Sequence, residues 1–215
     1  MRRTVPPIEL ESYRILRSKA DTSGFAPRTR DVMERVVHAT ADLAYVDDLV
    51  CDEAALEAGA AALAGGAPLV VDAEMVASGI TSRDSICMIG MPKVAEIAER
   101  DGLTRAAAAI RLATEIAREG AVWVIGVAPT ALFELIRLAE VRRVRPALVV
   151  GVPVGFVGAA ESKVALRGSG LPAVSNVSAK GGAGVAAAIV NALLYGDPLA
   201  ASDSAEAPPE GSADE

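Results

Sequence analysis

Residues 121–136 read AVWVIGVAPTALFELI, the longest apolar stretch of the chain. It is broken by Pro129 and charged at Glu134, so it does not read as a membrane span. A β-branched run, VWVIGV, is followed by a proline placed at the first turn of a helical pattern, PTALFELIRLAEVRR. That order predicts a buried strand feeding directly into a helix.

The same unit recurs on both sides. PLVVDA (68–73), DSICMIG (84–90), RPALVVGVPV (145–154) and LPAVSNV (171–177) are short, apolar and bounded by turn residues. Helical patterns lie between and after them: VAEIAER (94–100), LTRAAAAIRLATEIAREG (103–120), GAAESKVALRGSG (158–170) and GVAAAIVNALLYG (184–196). Continuous apolar strands alternating with helices predict a mainly parallel sheet buried on both faces. Five such strands give an α/β fold of three layers, α/β/α, with a flavodoxin-like sheet. N-terminal to it, ELESYRILRSKA, PRTRDVMERVVHATADL and DEAALEAGAAALAGG predict three further helices, the last capped by Asp52 and stopped at Gly65-Gly66. Residues 1–197 are expected to form a single domain.

Of the 215 residues, 21 are basic and 28 acidic, a formal charge of −7. Asp203, Glu206, Glu210, Asp214 and Glu215 fall in a Pro-, Ser- and Ala-rich segment from 198 to 215 that lacks Lys and Arg, and a disordered acidic tail is expected there. The remaining body sets 21 basic residues against 23 of the 28 acidic ones. This nearly neutral body has no basic stripe for nucleic acid, yet leaves room for a local positive pocket. The N-terminus has no apolar signal core, and Cys51 and Cys87 fit no metal spacing, so free thiols in a cytoplasmic protein are expected. One histidine and two scattered cysteines give no metal site.

Ligands of such sheets bind beyond the carboxyl ends of the strands. That places DAEMVASGIT (72–81), GVAPTAL (126–132), GVPVGFVGAAESK (151–163) and VSAKGGAG (177–184) around the site. The glycines of the last two segments suit either an anion at a helix start or a tight connector. Neither segment is a P-loop, and no G-x-S-x-G nucleophile elbow is present.

His38, the single histidine, lies in ERVVHATAD (34–42). On a helix, Glu34 and Asp42 stand one turn before and after it, and an acid within reach favours the imidazolium. That suits a general acid. A packed or solvated histidine is the other reading.

Taken in order, VVHA (36–39), APLVVDAEMVASGIT (67–81), IGVAPTALFELI (125–136), VVGVPVGFVGAAESK (149–163) and a Gly-Gly pair before the terminal helix resemble the precorrin-8X methylmutases of cobalamin biosynthesis, including relatives that act on the cobalt-containing substrate. The resemblance runs from about Ser12 to Leu194. It implies an isomerase that moves a methyl group from C11 to C12 of the macrocycle, giving hydrogenobyrinate or its cobalt form, with no cofactor and no external methyl donor. His38 matches the family's catalytic histidine, as proton donor and acceptor. Ser12 matches its substrate-binding serine. Thr81, Thr130, Gly155, Phe156, Ser162, Lys163 and Lys180 are the positions expected to meet the carboxylate-rimmed corrinoid. The resemblance also implies a homodimer with sites near the subunit interface, and hand-over of product to the next corrin enzyme. A non-catalytic corrinoid carrier is the alternative, and a nucleotide or phosphate binder a weaker third.

The chain departs from the family in one loop. SNVSAKGGAG stands where many relatives carry Arg-Gly-Arg-x-Gly-Gly-Ser, which puts Asn176 and Lys180 where arginines often lie. Lysine does not reproduce the two-pronged carboxylate contact of arginine. IGVAP likewise replaces a common IGNAP, removing an amide at Val127.

Overall fold

The structure is a computed structural model that describes residues 5–200. Its centre is a six-stranded sheet: β1 (Leu49–Cys51), β2 (Leu69–Val71), β3 (Ile86–Cys87), β4 (Val122–Ile125), β5 (Leu148–Gly151) and β6 (Ala173–Asn176), in the order β1-β6-β5-β4-β2-β3. Strands β2 to β6 are parallel and follow the flavodoxin order. The expected five strands are therefore present, and a sixth joins them. β1 lies antiparallel on the edge of β6, with Leu49 opposite Asn176. Its three residues are too short to show alternation, and its partner is far along the chain, so local pattern does not reveal it.

Alternation along the central strands sends side chains into two cores. Val122 and Val124 enter one, with Val71, Leu148, Val150 and Val174. Trp123 and Ile125 enter the other, with Val70, Val149, Leu132 and Leu135. The first core is covered by α2 (Pro27–Thr40), α4 (Glu53–Ala64) and α10 (Ala183–Tyr195). The second is covered by α7 (Arg105–Ala113), α8 (Pro129–Glu140) and α9 (Ala159–Gly168), with α6 (Pro92–Asp101) packed outside α7. These are the three expected layers. The window 183–200 is long and apolar enough to cross a membrane by composition. α10 is nevertheless a core helix, with Val185, Ile189, Val190 and Leu193 buried against the sheet layer.

Helix ends follow the sequence closely. Asp52 accepts the Ala54 and Ala55 N–H groups at the start of α4. The start of α2 has Pro27 at its first turn and no cap of its own. Glu53 supplies one from α4, accepting Arg28 N–H and Thr29 N–H, each at 2.8 Å. A short helix, α5 (Glu74–Gly79), occupies the segment read as a strand-end loop after β2, and another, α3 (Tyr45–Asp48), leads into β1. Of the acidic tail expected from residue 198, only 198–200 lie among the described residues, and they are helical.

α1 (Pro7–Lys19) is fastened to α2 by buried charge. Arg17 donates to both oxygens of Glu34, at 3.0 and 2.8 Å, and to Asp197 at 2.8 Å. Nearby, burial together with the charge of Asp197 pushes the Asp31 carboxyl up to about 6, against the pull of Arg28 and Arg30. A carboxyl that binds its proton more tightly folded than unfolded stabilises the fold at low pH. That contribution is lost as pH rises from its ordinary value of 3.8 through about 6. Asp31→Asn is expected to remove this loss and to raise stability at neutral pH by about 2 kcal/mol. Urea melts of both proteins across that pH window check it; parallel pH profiles count against it.

Candidate active site

α1 and α2 cross so that Ser12 Oγ stands 2.8 Å from His38 Nδ1, across 26 residues of sequence. The adjoining Tyr13 is buried, and its ring stacks on the imidazole with centroids 5.0 Å apart and planes 25° from parallel. Arg35 lies 5.8 Å from the Tyr13 ring centre and donates to Glu9 at 2.7 Å. The imidazole is thus oriented by a hydrogen bond in its plane and a ring contact on its face. His38 is half-buried, at the wall of a hollow of about 170 Å³ lined also by Ser12, Ile15, Val37, Ala41 and Leu43.

The acids expected beside His38 have other partners. Glu34 is held by Arg17 and by Thr22, whose hydroxyl donates at 2.5 Å. Asp42 accepts Lys180 Nζ at 2.6 Å. Helical spacing placed both acids near His38, but tertiary contacts decide where each carboxylate points.

That Asp42–Lys180 pair joins the His38 helix to the loop after β6. Lys180 also lies 5.4 Å from the Tyr45 ring centre. The loop is anchored from beneath by Lys163 of α9, completely buried, whose Nζ donates to Asn176 Oδ1 at 2.9 Å, Ser178 O at 2.5 Å and Lys180 O at 2.7 Å. Burial pushes this amine down to about 8, while Asp48 pulls it up. Three acceptors use all three ammonium hydrogens, so the lysine is charged at neutral pH. Asn176 donates to Asp48 at 2.8 Å, and Asp48 accepts Ser178 N–H at 2.7 Å.

The loop after β5 is stitched to the same place. Gly155 N–H donates to Ala179 O at 3.1 Å and Gly182 N–H to Val152 O at 2.9 Å. Gly181 sits at φ +144°, and a Cβ there would stand 2.2 Å from Val152 O. Only glycine lets the two backbones approach so closely. Beyond this seam Phe156 is fully exposed, flanked by exposed Val154 and Val157.

Ser12, His38, Gly155, Phe156, Lys163 and Lys180 therefore belong to one linked region. Ser162 and Lys163, expected as ligand contacts, are both completely buried, and the Ser162 hydroxyl donates back to Ala159 O. Thr130 is placed by α8 on the other face of the sheet, with its Oγ1 2.7 Å from that of Thr104. Thr81 is held at the far end of α10, where its N–H donates to Asn191 at 3.1 Å and its Oγ1 stands 2.9 Å from Tyr195 Oη. From Ala183 to Asn191 that helix rises about 12 Å, so Thr81 is not brought to His38 within one protomer.

Sequence reasoning missed Tyr13, Asp48 and Asp72 as site-building residues. Asp72 is buried at the end of β2 and accepts the N–H groups of Gly126, Val127 and Ala128, at 2.8 to 3.0 Å. It fixes the strand-to-helix turn after β4, and its place in the DAEMV motif was the available signal. Among the described residues no three His, Cys, Asp or Glu side chains converge as metal ligands. Burial pushes the Cys51 thiol up to about 12 and Cys87 up to about 11, so neither is a thiolate at neutral pH.

Residues 7–196, from the first turn of α1 to the end of α10, match the family described as precorrin-8X methylmutase. The chain belongs to the precorrin-8X methylmutase family. The cobalt-precorrin-8 methylmutase of Methanocaldococcus jannaschii is 45% identical over 170 residues, covering 79% of this chain and 80% of that protein. The precorrin-8X methylmutase of Pseudomonas aeruginosa is 41% identical over 191 residues, covering 85% and 91%. The crystal structure of the Thermus thermophilus precorrin-8X methylmutase superposes with a TM-score of 0.79 at 36% identity, covering 92% of this chain and 96% of that one. As a methylmutase of this family the protein is an isomerase of cobalamin biosynthesis, moving a methyl group within one molecule.

Proposed function

We propose that the protein moves the methyl group at C11 of ring C to C12 on precorrin-8X or cobalt-precorrin-8, with His38 as the proton donor and acceptor. The observation that carries this is the Ser12–His38 hydrogen bond at 2.8 Å beneath an oriented imidazole. A suprafacial 1,5-shift moves the methyl with its bonding electrons, so the product is an isomer of the substrate. The protein's part is to hold the reactive conformer and to polarise the ring system by lending one proton, which returns when the shift is complete. With Nδ1 engaged by Ser12, proton exchange with the macrocycle is assigned to Nε2.

The hollow of about 170 Å³ at His38 is smaller than even ordinary small-ligand pockets, which start near ~300 Å³. A tetrapyrrole therefore lies across its rim rather than inside it. The loop after β6 is joined to the His38 helix by the Lys180–Asp42 pair and to the loop after β5 by backbone hydrogen bonds, and in this reading the N–H groups of both loops together with Lys180 serve the peripheral carboxylates. Ser162 and Lys163 act from below, as positioning residues for those loops. Phe156, Val154 and Val157 form an apolar projection that suits a second subunit. We place the protein in the cytoplasm as a homodimer that completes each site across the interface, and Thr81 and Thr130 are proposed to meet ligand or partner there.

Incubation with each form of the substrate tests this reading by the absorbance of the macrocycle itself. Conversion well beyond one equivalent per protomer is expected with at least one form, and the responsive form identifies the substrate. Tight binding without conversion of either form supports a carrier and overturns the mutase.

A further inference from the structure

A second cleft, of about 610 Å³, opens at the other end of the sheet, beyond the N-terminal ends of β4 and β5. Arg100, Arg111, Arg118, Arg142, Arg143 and Arg145 line it. The segments before β4 and β5 are locked side by side there, with Arg145 N–H donating to Arg118 O at 2.7 Å and Gly120 N–H to Arg145 O at 2.9 Å. Arg142 takes a left-handed conformation at φ +56°, turning the chain after α8 so that Arg142 and Arg143 both border the cleft.

Two of the six arginines are neutralised locally. Arg111 pairs with Asp101 and Glu134, and Arg100 with Asp101. The lining residue Glu115 is engaged by Lys93 at 3.0 Å. Arg118, Arg142, Arg143 and Arg145 have no ion pair to any described carboxylate, and Glu119 is the one other acid on the wall. Four arginines without a carboxylate partner among the described residues, lining one concavity, bias its potential towards the positive. Their planar donor forks match carboxylate and phosphate groups. This concentration is notable in a chain whose formal charge is −7. The apolar lining is Ile97 and Val144, with no aromatic ring. The wall is dominated by arginine side chains, which suits a ligand recognised through its anionic groups.

We propose that this cleft is a binding site for a small multivalent anion bearing two or more phosphate or carboxylate groups, separate from the methyl-transfer site. Calorimetric titration of the full chain with pyrophosphate and, separately, citrate at physiological ionic strength tests it. One saturable site per protomer is expected for at least one of the two, and the preferred probe separates phosphate from carboxylate chemistry. In the doubly substituted Arg118→Gln, Arg143→Gln protein the association constant is expected to fall at least about tenfold, with the melting temperature and the methyl-shift rate unchanged. No saturable binding of either anion overturns the proposal. Binding unaltered by the two substitutions also overturns it, by placing the anion elsewhere. If the substitutions unfold the protein, Arg142→Gln alone at the exposed turn carries the same test, with weakened binding supporting the site and unchanged binding overturning it.

Discussion

His38→Ala is expected to lower the methyl-shift rate by roughly 10²–10⁴-fold, the usual worth of a positioned acid–base group. Binding of product is expected to persist, because the loops proposed to hold its carboxylates are built on β5, β6 and Lys163 rather than on His38. Fold stability is expected to change little, since the imidazole is only half-buried, at the wall of the hollow rather than in either core. Single-turnover absorbance measurements give the rate, and titration with the metal-free product hydrogenobyrinic acid gives the affinity. Ser12→Ala is the graded companion. It leaves the imidazole but removes its in-plane partner, and a loss on the order of tenfold in rate follows from one orienting hydrogen bond. Equal loss of rate, binding and thermal stability in His38→Ala would make this histidine a structural residue and remove it from the mechanism.

Lys163→Met is expected to be the most damaging substitution for the architecture of the site. Methionine replaces much of the side-chain volume but leaves Asn176 Oδ1, Ser178 O and Lys180 O without the ammonium that joins them. Removing one member of a buried charged network costs about 3–5 kcal/mol, because the groups left behind stay desolvated and unpaired. For a chain of this size that corresponds to a melting temperature about 10 °C lower. The damage is expected to centre on the loop after β6, which Lys163 and Asp48 hold from two sides. Corrinoid affinity should fall with it, whereas the Ser12–His38 pair on α1 and α2 stays intact. Thermal melts and product titration of Lys163→Met check both effects. A melt coinciding with that of the native protein would show that the three acceptors find water instead, and would end the positioning role.

Much of this protein was written locally in its sequence. The run 121–136 is strand and helix because an apolar β-branched segment meets Pro129, and such a boundary needs no distant partner. The same holds for the Asp52 cap of α4 and for the five parallel strands. His38 and Ser12 stood out through resemblance to a family, on motifs that spacing alone left open between catalysis and packing. What the tertiary structure alone decided are the contacts made by residues far apart in the chain. β1 exists because three residues find the edge of β6. Glu34 points to Arg17 and Asp42 to Lys180, although helical spacing offered both to His38. Lys163 turned inward because Asn176 and two carbonyls could satisfy a buried ammonium there. Helical and strand periods are set by neighbouring residues, so sequence reports them. The direction of a long charged side chain is set by desolvation and by partners that only the folded chain brings within reach.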